Sequence, residues 1–455
     1  MLTSNIHREK SVRILIFTLF LLSSAVFGDH TQEYQLTNGL KLIVREDHRA
    51  PVVMSSIWYK VGGSYENNGT TGISHMLEHM MFRGTKKFGP GVLNQIFSAQ
   101  GSDQNALTSD DFTMYHQLLP ANQLALSFEL EADRMENLLL DPVAFEIEKK
   151  VVLEERRMRV DDSPEGLLWE RFSAAAFINN PYHNPIVGWM PDVSHLTIDD
   201  VRHWYRKWYA PNNAVIIVAG DVKSSDVYQL VQKYFGNLKP IQLPVLKPRT
   251  EVVSTGERTV NVKTPAKLPY ILMGFNVPTL ANATQNQVQS LYALKVISYI
   301  LSGGESARFV RDLVRGKEIA LSVDASYDLY DLHQSLFVIG GIPSFKNNND
   351  QLEKNIWVEI NALKNKLVST EELRRVKTAL IANKIYKQDS LESQIEQLGF
   401  PEMAGLSWKA SDDFISKISS VTPDEIQAAA KTYFTAENET IGELQPALSS
   451  NKKQD

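Results

Sequence analysis

The sequence predicts an α+β protein built from two similar halves. With 455 residues, the chain is longer than one hydrophobic core ordinarily serves. Segments with the two-residue period of strands and segments with the 3.6-residue period of helices occur on both sides of a stretch at 238–257. That stretch contains three prolines and has no clear periodicity, which is typical of a linker. Each half is therefore expected to contain both strands and helices.

In the first half, turn and cap residues mark where the elements begin and end. Asn38 and Gly39 supply the two-residue turn of a hairpin. Asp141 and Pro142 are typical of a helix start, and Gly84 is placed to end an earlier helix. The predicted elements are a hairpin over 34–44, a strand over 52–61, a helix ending before Gly84, a strand pair within 104–119, and helices over 121–140 and 142–160.

The second half is predicted to repeat these elements through an internal duplication. Thr197 and Thr422 each begin a Thr-x-x-acid capping signature, and the two copies lie 225 residues apart. The same offset places Asn213 on Asn438. A common helix–strand unit is the alternative explanation, but the position near the end of each half favours duplication. The expected elements are strands near 270–276 and 320–341 and helices near 286–301, 350–367 and 370–398.

The first 28 residues have the layout of a secretory signal. Arg8, Lys10 and Arg13 precede an apolar stretch, and cleavage is expected after Gly28. We therefore expect an exported protein in the periplasm, with secretion or an uncleaved N-terminal membrane anchor as alternatives. No later segment has the length and apolarity of a membrane span. The expected division is a signal at 1–28, a first half at 29–237, a linker at 238–257, a second half at 258–445 and a flexible tail at 446–455.

Composition argues against several classes of function. The formal charge of −6 and the even mixing of charges argue against a nucleic-acid partner, because phosphate contacts need clustered Lys and Arg. The absence of cysteine excludes disulfides, thiolate zinc sites and a cysteine nucleophile. Any metal must therefore be held by His, Asp or Glu.

The segment His75-x-x-Glu78-His79 carries the chemistry that the sequence makes most evident. Residues four apart on a helix share a face, so His75 and His79 can direct two imidazoles at one ion. A catalytic zinc needs three protein ligands and an open position for water, whose pKa it lowers. Glu78 is suited to accept the proton of that water and to deliver it to a leaving amine. A surface helix with two histidines is the alternative, and the motif needs a third ligand.

The helix predicted over 142–160 offers candidates for the third ligand. Glu148 and Glu155 are seven residues apart and share a face, so one could bind the metal while the other holds a ligating imidazole. A charged, solvated helix face is the alternative. Spacing alone does not choose among the glutamates of this helix.

The motif, followed by Glu155 seventy-six positions after His79, resembles the zinc peptidases of the pitrilysin and insulysin family. The chain is similar in size to the mitochondrial-processing-peptidase-like branch of that family. The resemblance implies two halves, each with a mostly antiparallel sheet backed by helices, and one Zn²⁺ per chain. It also implies that Glu155 is the third ligand and that Glu148 supports a ligating imidazole.

The same resemblance extends to the segment 101–108 and to the second half. Segment 101–108 resembles the family's edge strand, where a substrate peptide adds as a further strand, and it implies substrate-binding roles for Asn105 and Ala106. In this family, members that work alone carry an Arg and a Tyr in the second half, and for members that do not work alone the partner chain carries them. Here these positions hold Val314 and Leu321, and Arg315 lies one residue away from the Arg position.

These observations predict a zinc metalloendopeptidase that hydrolyses peptides or unfolded segments. The missing Arg and Tyr predict that it is the metal subunit of a heterodimer, whose paralogous partner supplies both groups to stabilise the charged intermediate. The alternatives are a non-catalytic structural or binding subunit and a zinc hydrolase acting on other substrates.

Overall fold

The computed structural model describes residues 31–99 and 101–447, and it confirms the α+β fold with two similar halves. The predicted signal at 1–28 and most of the predicted tail lie outside the described residues. The last strand runs to Ala447, two residues past the expected end of the second half. Within the described ranges, no helix is both long and apolar enough to cross a membrane.

The first half contains a six-stranded sheet with the spatial order β1-β2-β6-β3-β5-β4. All of its neighbouring strands are antiparallel except β2 and β6, which run parallel. The predicted hairpins are both present, and Gly39 adopts a φ of 89° in the first turn. The strands are β1 (Thr31–Gln35), β2 (Lys41–Glu46), β3 (Val52–Tyr59), β4 (Asp103–Thr108), β5 (Thr113–Pro120) and β6 (Ala214–Gly220).

The second half contains a five-stranded sheet that repeats the first sheet without β1. Its strands are β7 (Arg258–Pro265), β8 (Tyr270–Val277), β9 (Ala320–Ser326), β10 (Ser335–Pro343) and β11 (Glu439–Ala447). Their order is β7-β11-β8-β10-β9, and the parallel pair is again the one at the matching position, β7 with β11. In this correspondence β4 and β9 are the equivalent edge strands.

Fourteen helices with α-helical geometry lie in the described residues. They are α1 (Ile73–Met81), α2 (Val92–Ala99), α3 (Leu124–Asn137), α4 (Pro142–Arg156), α5 (Pro164–Ala176), α6 (Met190–His195), α7 (Ile198–Trp208), α8 (Ser224–Phe235), α9 (Val288–Ser302), α10 (Asn349–Asn365), α11 (Thr370–Tyr386), α12 (Leu391–Met403), α13 (Phe414–Ser420) and α14 (Pro423–Tyr433). Wider π-helical turns extend α4 at Arg157–Asp161 and precede β9 at Phe309–Gly316.

The duplicated segments have the same local structure. Helices α7 and α14 are both 11 residues long, and each begins with a complete capping box. The Asn213 side chain donates to the Trp208 carbonyl at 2.9 Å, and the Asn438 side chain donates to the Tyr433 carbonyl at 3.0 Å. A strand begins directly after each of these asparagines. The structural repeat therefore extends to individual hydrogen bonds.

One helix of each half packs on the sheet of the other half. Helix α12 from the second half packs on the first sheet, where Gly399 lies against the Trp58 ring. Helix α5 from the first half packs on the second sheet, where Phe172 lies against Gly274. The prediction of one helix over 370–398 is wrong, because a 3₁₀ turn at Lys387–Asp389 ends α11. Ser390 then caps α12, which crosses to the other half.

The segment 238–257 contains no helix or strand, as its prolines predict. It is nevertheless attached to the first half. The Glu251 carboxylate is buried and accepts the backbone N–H groups of Ile178, Asn179 and Asn180 at 2.8–3.1 Å. Arg249 donates to the Ser64 carbonyl. These contacts fix the course of the chain between the two sheets.

Candidate metal centre and active site

Helix α1 carries the His-x-x-Glu-His segment, and a buried carboxylate holds its start. Gly72 precedes the helix with a φ of 84°, a conformation that favours glycine. Glu66 accepts the N–H groups of Gly72 at 2.6 Å and Ser74 at 2.8 Å, so it satisfies two donors that the helix leaves free. Burial raises the pKa of Glu66 to about 8, against the lowering effect of these hydrogen bonds. The sequence analysis did not identify Glu66, because its role depends on the loop that folds it back onto α1.

His75, His79 and Glu155 converge where α1 packs against α4. Nε2 of His75 lies 3.7 Å from Glu155 Oε1, and Nε2 of His79 lies 3.2 Å from Glu155 Oε2. Ligand atoms of a tetrahedral zinc site are separated by about 3.4 Å, given Zn–N and Zn–O distances near 2.1 Å. The donor set and its spacing therefore fit one zinc ion. Within 31–99 and 101–447, no other group of three or more His, Asp and Glu side chains lies close enough together to hold a metal ion.

The two imidazoles have different surroundings. Burial, together with the nearby charges of His79 and Arg159, lowers the pKa of His75 to about 3. His75 is therefore neutral near pH 7, which is the form that binds a metal. The Nδ1 atom of His79 lies 3.3 Å from Glu148 Oε2. Glu148 is almost fully buried and also pairs with Arg83.

Glu78 lies beside the cluster and is paired with a strand residue. The Thr108 hydroxyl, at the end of β4, donates a hydrogen bond to Glu78 Oε2. Burial raises the pKa of Glu78, while the hydrogen bond from Thr108 and the charge of His79 oppose that rise and the charge of Glu155 adds to it. A carboxylate with a raised pKa is a stronger base than an exposed one. Thr108 belonged to the segment that the resemblance marked, but its contact with Glu78 was not foreseen.

Arg159 is a further neighbour that the sequence analysis did not assign. Its guanidinium lies 2.9 Å from Glu155 Oε1, and it projects from the π-helical turn that extends α4. The side chain is mostly exposed, so the pair is screened by water.

Strand β4 is an open edge of the first sheet, next to α1. Ser109 and Phe112 form a hydrogen-bonded pair at its turn, with the Ser109 N–H donating at 2.8 Å. Because bonded and non-bonded pairs alternate along an antiparallel ladder, Ala106 and Thr108 present their N–H and C=O groups outward. The Asn105 side chain accepts the Ala106 N–H at 2.9 Å. Ala106 packs towards the core beneath α1, whereas the Asn105 side chain lies on the opposite face of the sheet.

The second half has no tyrosine at the position where the family resemblance predicts one. Leu321 lies on the edge strand β9 and is 41% exposed, and Val314 packs against the core of the second half. Arg315 is exposed and pairs with Glu305. These positions do not supply the Arg and Tyr pair.

Comparison with known proteins assigns the family. The model described as Insulinase (Peptidase family M16) matches residues 41–189, and the model described as Peptidase M16 inactive domain matches residues 195–380. The zinc protease PqqE of Helicobacter pylori is 31% identical over 449 residues, covering 95% of this chain and 98% of that protein. The chain belongs to the M16, or pitrilysin, family of zinc peptidases. His75, Glu78, His79 and Glu155 of this M16 chain all lie in the part matched by the insulinase model.

Further relatives match most of the M16 chain. An uncharacterized zinc protease of Bacillus subtilis, YmxG, is 25% identical over 408 residues, covering 89% of this chain and 96% of that protein. The crystal structure of a protease from Helicobacter pylori superposes with a TM-score of 0.85 at 28% identity, covering 91% of this chain and 99% of that one. Both halves of the M16 fold are therefore present, and the chain is a metallopeptidase by family.

Proposed function

We propose that this chain is a zinc metalloendopeptidase in which His75, His79 and Glu155 hold one Zn²⁺ and Glu78 moves the proton. The observation that carries the proposal is the convergence of His75, His79 and Glu155 beside the half-buried Glu78 carboxylate. When bound, zinc would supply a Lewis acid that polarises a peptide carbonyl and lowers the pKa of a water molecule.

The residues of the chain perform the remaining steps. Glu78 accepts a proton from the attacking water and delivers it to the leaving amine, for which its raised pKa is suited. Thr108 holds the Glu78 carboxylate through one oxygen and leaves the other free to take the proton. Glu148 orients the His79 imidazole by its contact with Nδ1.

The open edge of β4 is the proposed peptide-binding strand. An extended peptide would pair with the outward N–H and C=O groups of Ala106 and Thr108. In the free chain the Asn105 side chain occupies the Ala106 N–H, so a peptide carbonyl would replace it there. The peptide would then run past Glu78, which Thr108 holds at the end of the same strand.

Replacing Glu78 tests the catalytic role. Glu78→Gln keeps the shape of the side chain but removes the base, so we expect zinc content to be unchanged and peptide turnover to fall by about 100-fold or more. Elemental analysis and cleavage of a quenched fluorescent peptide measure the two quantities. Turnover that survives the substitution would remove Glu78 from this role, and a wild-type chain without zinc would favour the non-catalytic alternative.

We also propose that the chain works with a paralogous partner that supplies an Arg and a Tyr. The support is the side chains at Val314 and Leu321, which cannot stabilise an oxyanion. Co-purification on a size-exclusion column, followed by cleavage assays of each chain and of the mixture, tests it. We expect turnover to increase sharply in the mixture, and full activity from the single chain would contradict the proposal.

Export to the periplasm is the proposed location. Its support is the pattern of basic residues and an apolar stretch in 1–28. Cell fractionation with N-terminal sequencing tests it, and a mature chain that begins at Asp29 is the expected result.

A further inference from the structure

A cavity of 520 Å³ opens on the face of the first sheet opposite the metal cluster. Its floor comes from β3, β4 and β5, and its wall comes from the segment of the second half that begins α12. The floor residues include Met54, Asp103, Asn105, His116 and Leu118, and the wall includes Leu391 and Glu392. The cavity therefore lies beside the N-terminal end of the edge strand β4.

A peptide added to β4 would direct alternate side chains into this cavity. This step rests on the proposed function, in which β4 captures the substrate. Side chains directly opposite each other on neighbouring strands point to the same face of a sheet. Asp103 and Asn105 face the cavity, so the peptide residues paired with them face it as well. Residues at the intervening positions face the metal side, with Ala106.

The charges around the cavity favour a cation. Asp103 and Glu392 are exposed residues that line it, and neither forms an ion pair with a Lys, Arg or His side chain among the residues that the structure describes. Asp47 and Asp389 also line it, but the Arg49 guanidinium pairs with both, at 2.6 Å and 2.9 Å. Two uncompensated carboxylates therefore remain.

His116 does not cancel these charges. Burial lowers its pKa, and the charges of Glu392 and Asp103 oppose that lowering only in part, so the imidazole is neutral near pH 7. Met54, Leu118 and Leu391 supply apolar surface below the carboxylates. An aliphatic stem that ends in a positive charge matches this combination.

We propose that this cavity is a specificity subsite that receives a Lys or Arg side chain of the bound peptide, through Asp103 and Glu392. The enzyme would then prefer substrates with a basic residue at one or two alternate positions along the strand that pairs with β4. The carboxylates that cause this preference for a basic residue lie on the face of the sheet opposite the metal cluster. The preference should therefore not depend on bound zinc.

Peptide binding to the Glu78→Gln chain tests the subsite without requiring turnover. A set of extended Thr- and Val-rich peptides carries a single Lys, or norleucine in its place, at each successive position, and fluorescence anisotropy gives the Kd. We expect Lys to bind roughly fivefold more tightly than norleucine at alternate positions only, with and without zinc, and added salt to reduce the difference.

Two variants and a control locate the effect. Asp103→Asn alone should reduce the Lys preference, and Asp103→Asn combined with Glu392→Gln should abolish it. Glu437→Gln removes an exposed carboxylate of the second half and should leave the preference intact. Equal binding of Lys and norleucine, or a preference that survives the double substitution, would overturn the subsite but not the proposed function. No binding of any peptide would instead overturn strand capture by β4, and the subsite with it.

Discussion

Glu148 lies outside the proposed ligand set and contacts one of the proposed ligands, His79. Its two oxygens contact the His79 Nδ1 atom and the Arg83 guanidinium, so it fixes the orientation of the imidazole whose Nε2 faces Glu155. A ligating histidine is a better ligand when a carboxylate accepts from its other ring nitrogen.

Replacing Glu148 should therefore weaken zinc binding without removing a ligand. For Glu148→Gln we expect zinc affinity to fall by about 10- to 100-fold, measured by competition with a chelator of known affinity. Glu146→Gln, an exposed change on the same helix, is the control and should bind zinc like the wild type. Unchanged affinity in Glu148→Gln would show that the contact with His79 has no effect on the metal.

The sequence predicted the site residues that lie close together along the chain better than those that lie far apart along it. His75, Glu78 and His79 follow from the period of a single helix, but Glu155 was chosen over its neighbours only through a family resemblance. Glu66 and Thr108 are 12 and 30 positions from Glu78, and their contacts arise from a loop and a strand that only the fold brings close. Contacts between residues of different elements, such as these, cannot be predicted from the periodicity of the sequence.

At the scale of elements, helix α12 explains why the order of elements was predicted better than their packing. The pattern over 370–398 is helical, but the 3₁₀ turn at Lys387–Asp389 ends α11 and Ser390 caps the start of α12. The second helix can then cross to the first sheet, where Gly399 allows it to lie directly on Trp58. The helical period of a sequence does not indicate which sheet a helix packs on, so this crossing could not be predicted.

Gly399→Ala should disturb this crossing. An added Cβ would lie 2.5 Å from the Trp58 ring, so the helix must shift, and we expect a loss of about 1–3 kcal/mol in the free energy of unfolding. Gly256→Ala is the control, because its Cβ would meet no atom within 4 Å. Denaturant unfolding of both variants measures the effect, and equal stability would contradict the close packing of α12.

At the scale of the whole molecule, a buried acidic junction joins the two halves. The Asp111 carboxylate accepts from Ser64 and Tyr182 of the first half and from the Leu332 N–H of the second half. Nearby, burial and the charge of Asp328 together raise the pKa of Asp331 to about 7. The junction therefore holds a proton that the unfolded chain releases.

This proton makes stability depend on pH. The folded pKa of Asp331 exceeds its ordinary value of 3.8, so the contribution is largest at low pH and is lost as pH rises from about 4 to about 7. The Asp331→Asn side chain cannot ionise. We therefore expect its Tm to fall less than the wild-type Tm between about pH 5 and about pH 8. Thermal melts across that range measure it, and parallel pH profiles would contradict a protonated Asp331.

The zinc content of the chain tests the central claim most directly. Elemental analysis after gel filtration should find about one zinc per chain in the wild type and in Glu154→Gln, whose exposed carboxylate is directed at Arg157. Glu155→Gln removes a metal-binding oxygen and should lose most of the zinc under the same conditions. A wild-type chain without zinc, or a Glu155→Gln chain that retains it fully, would contradict the account.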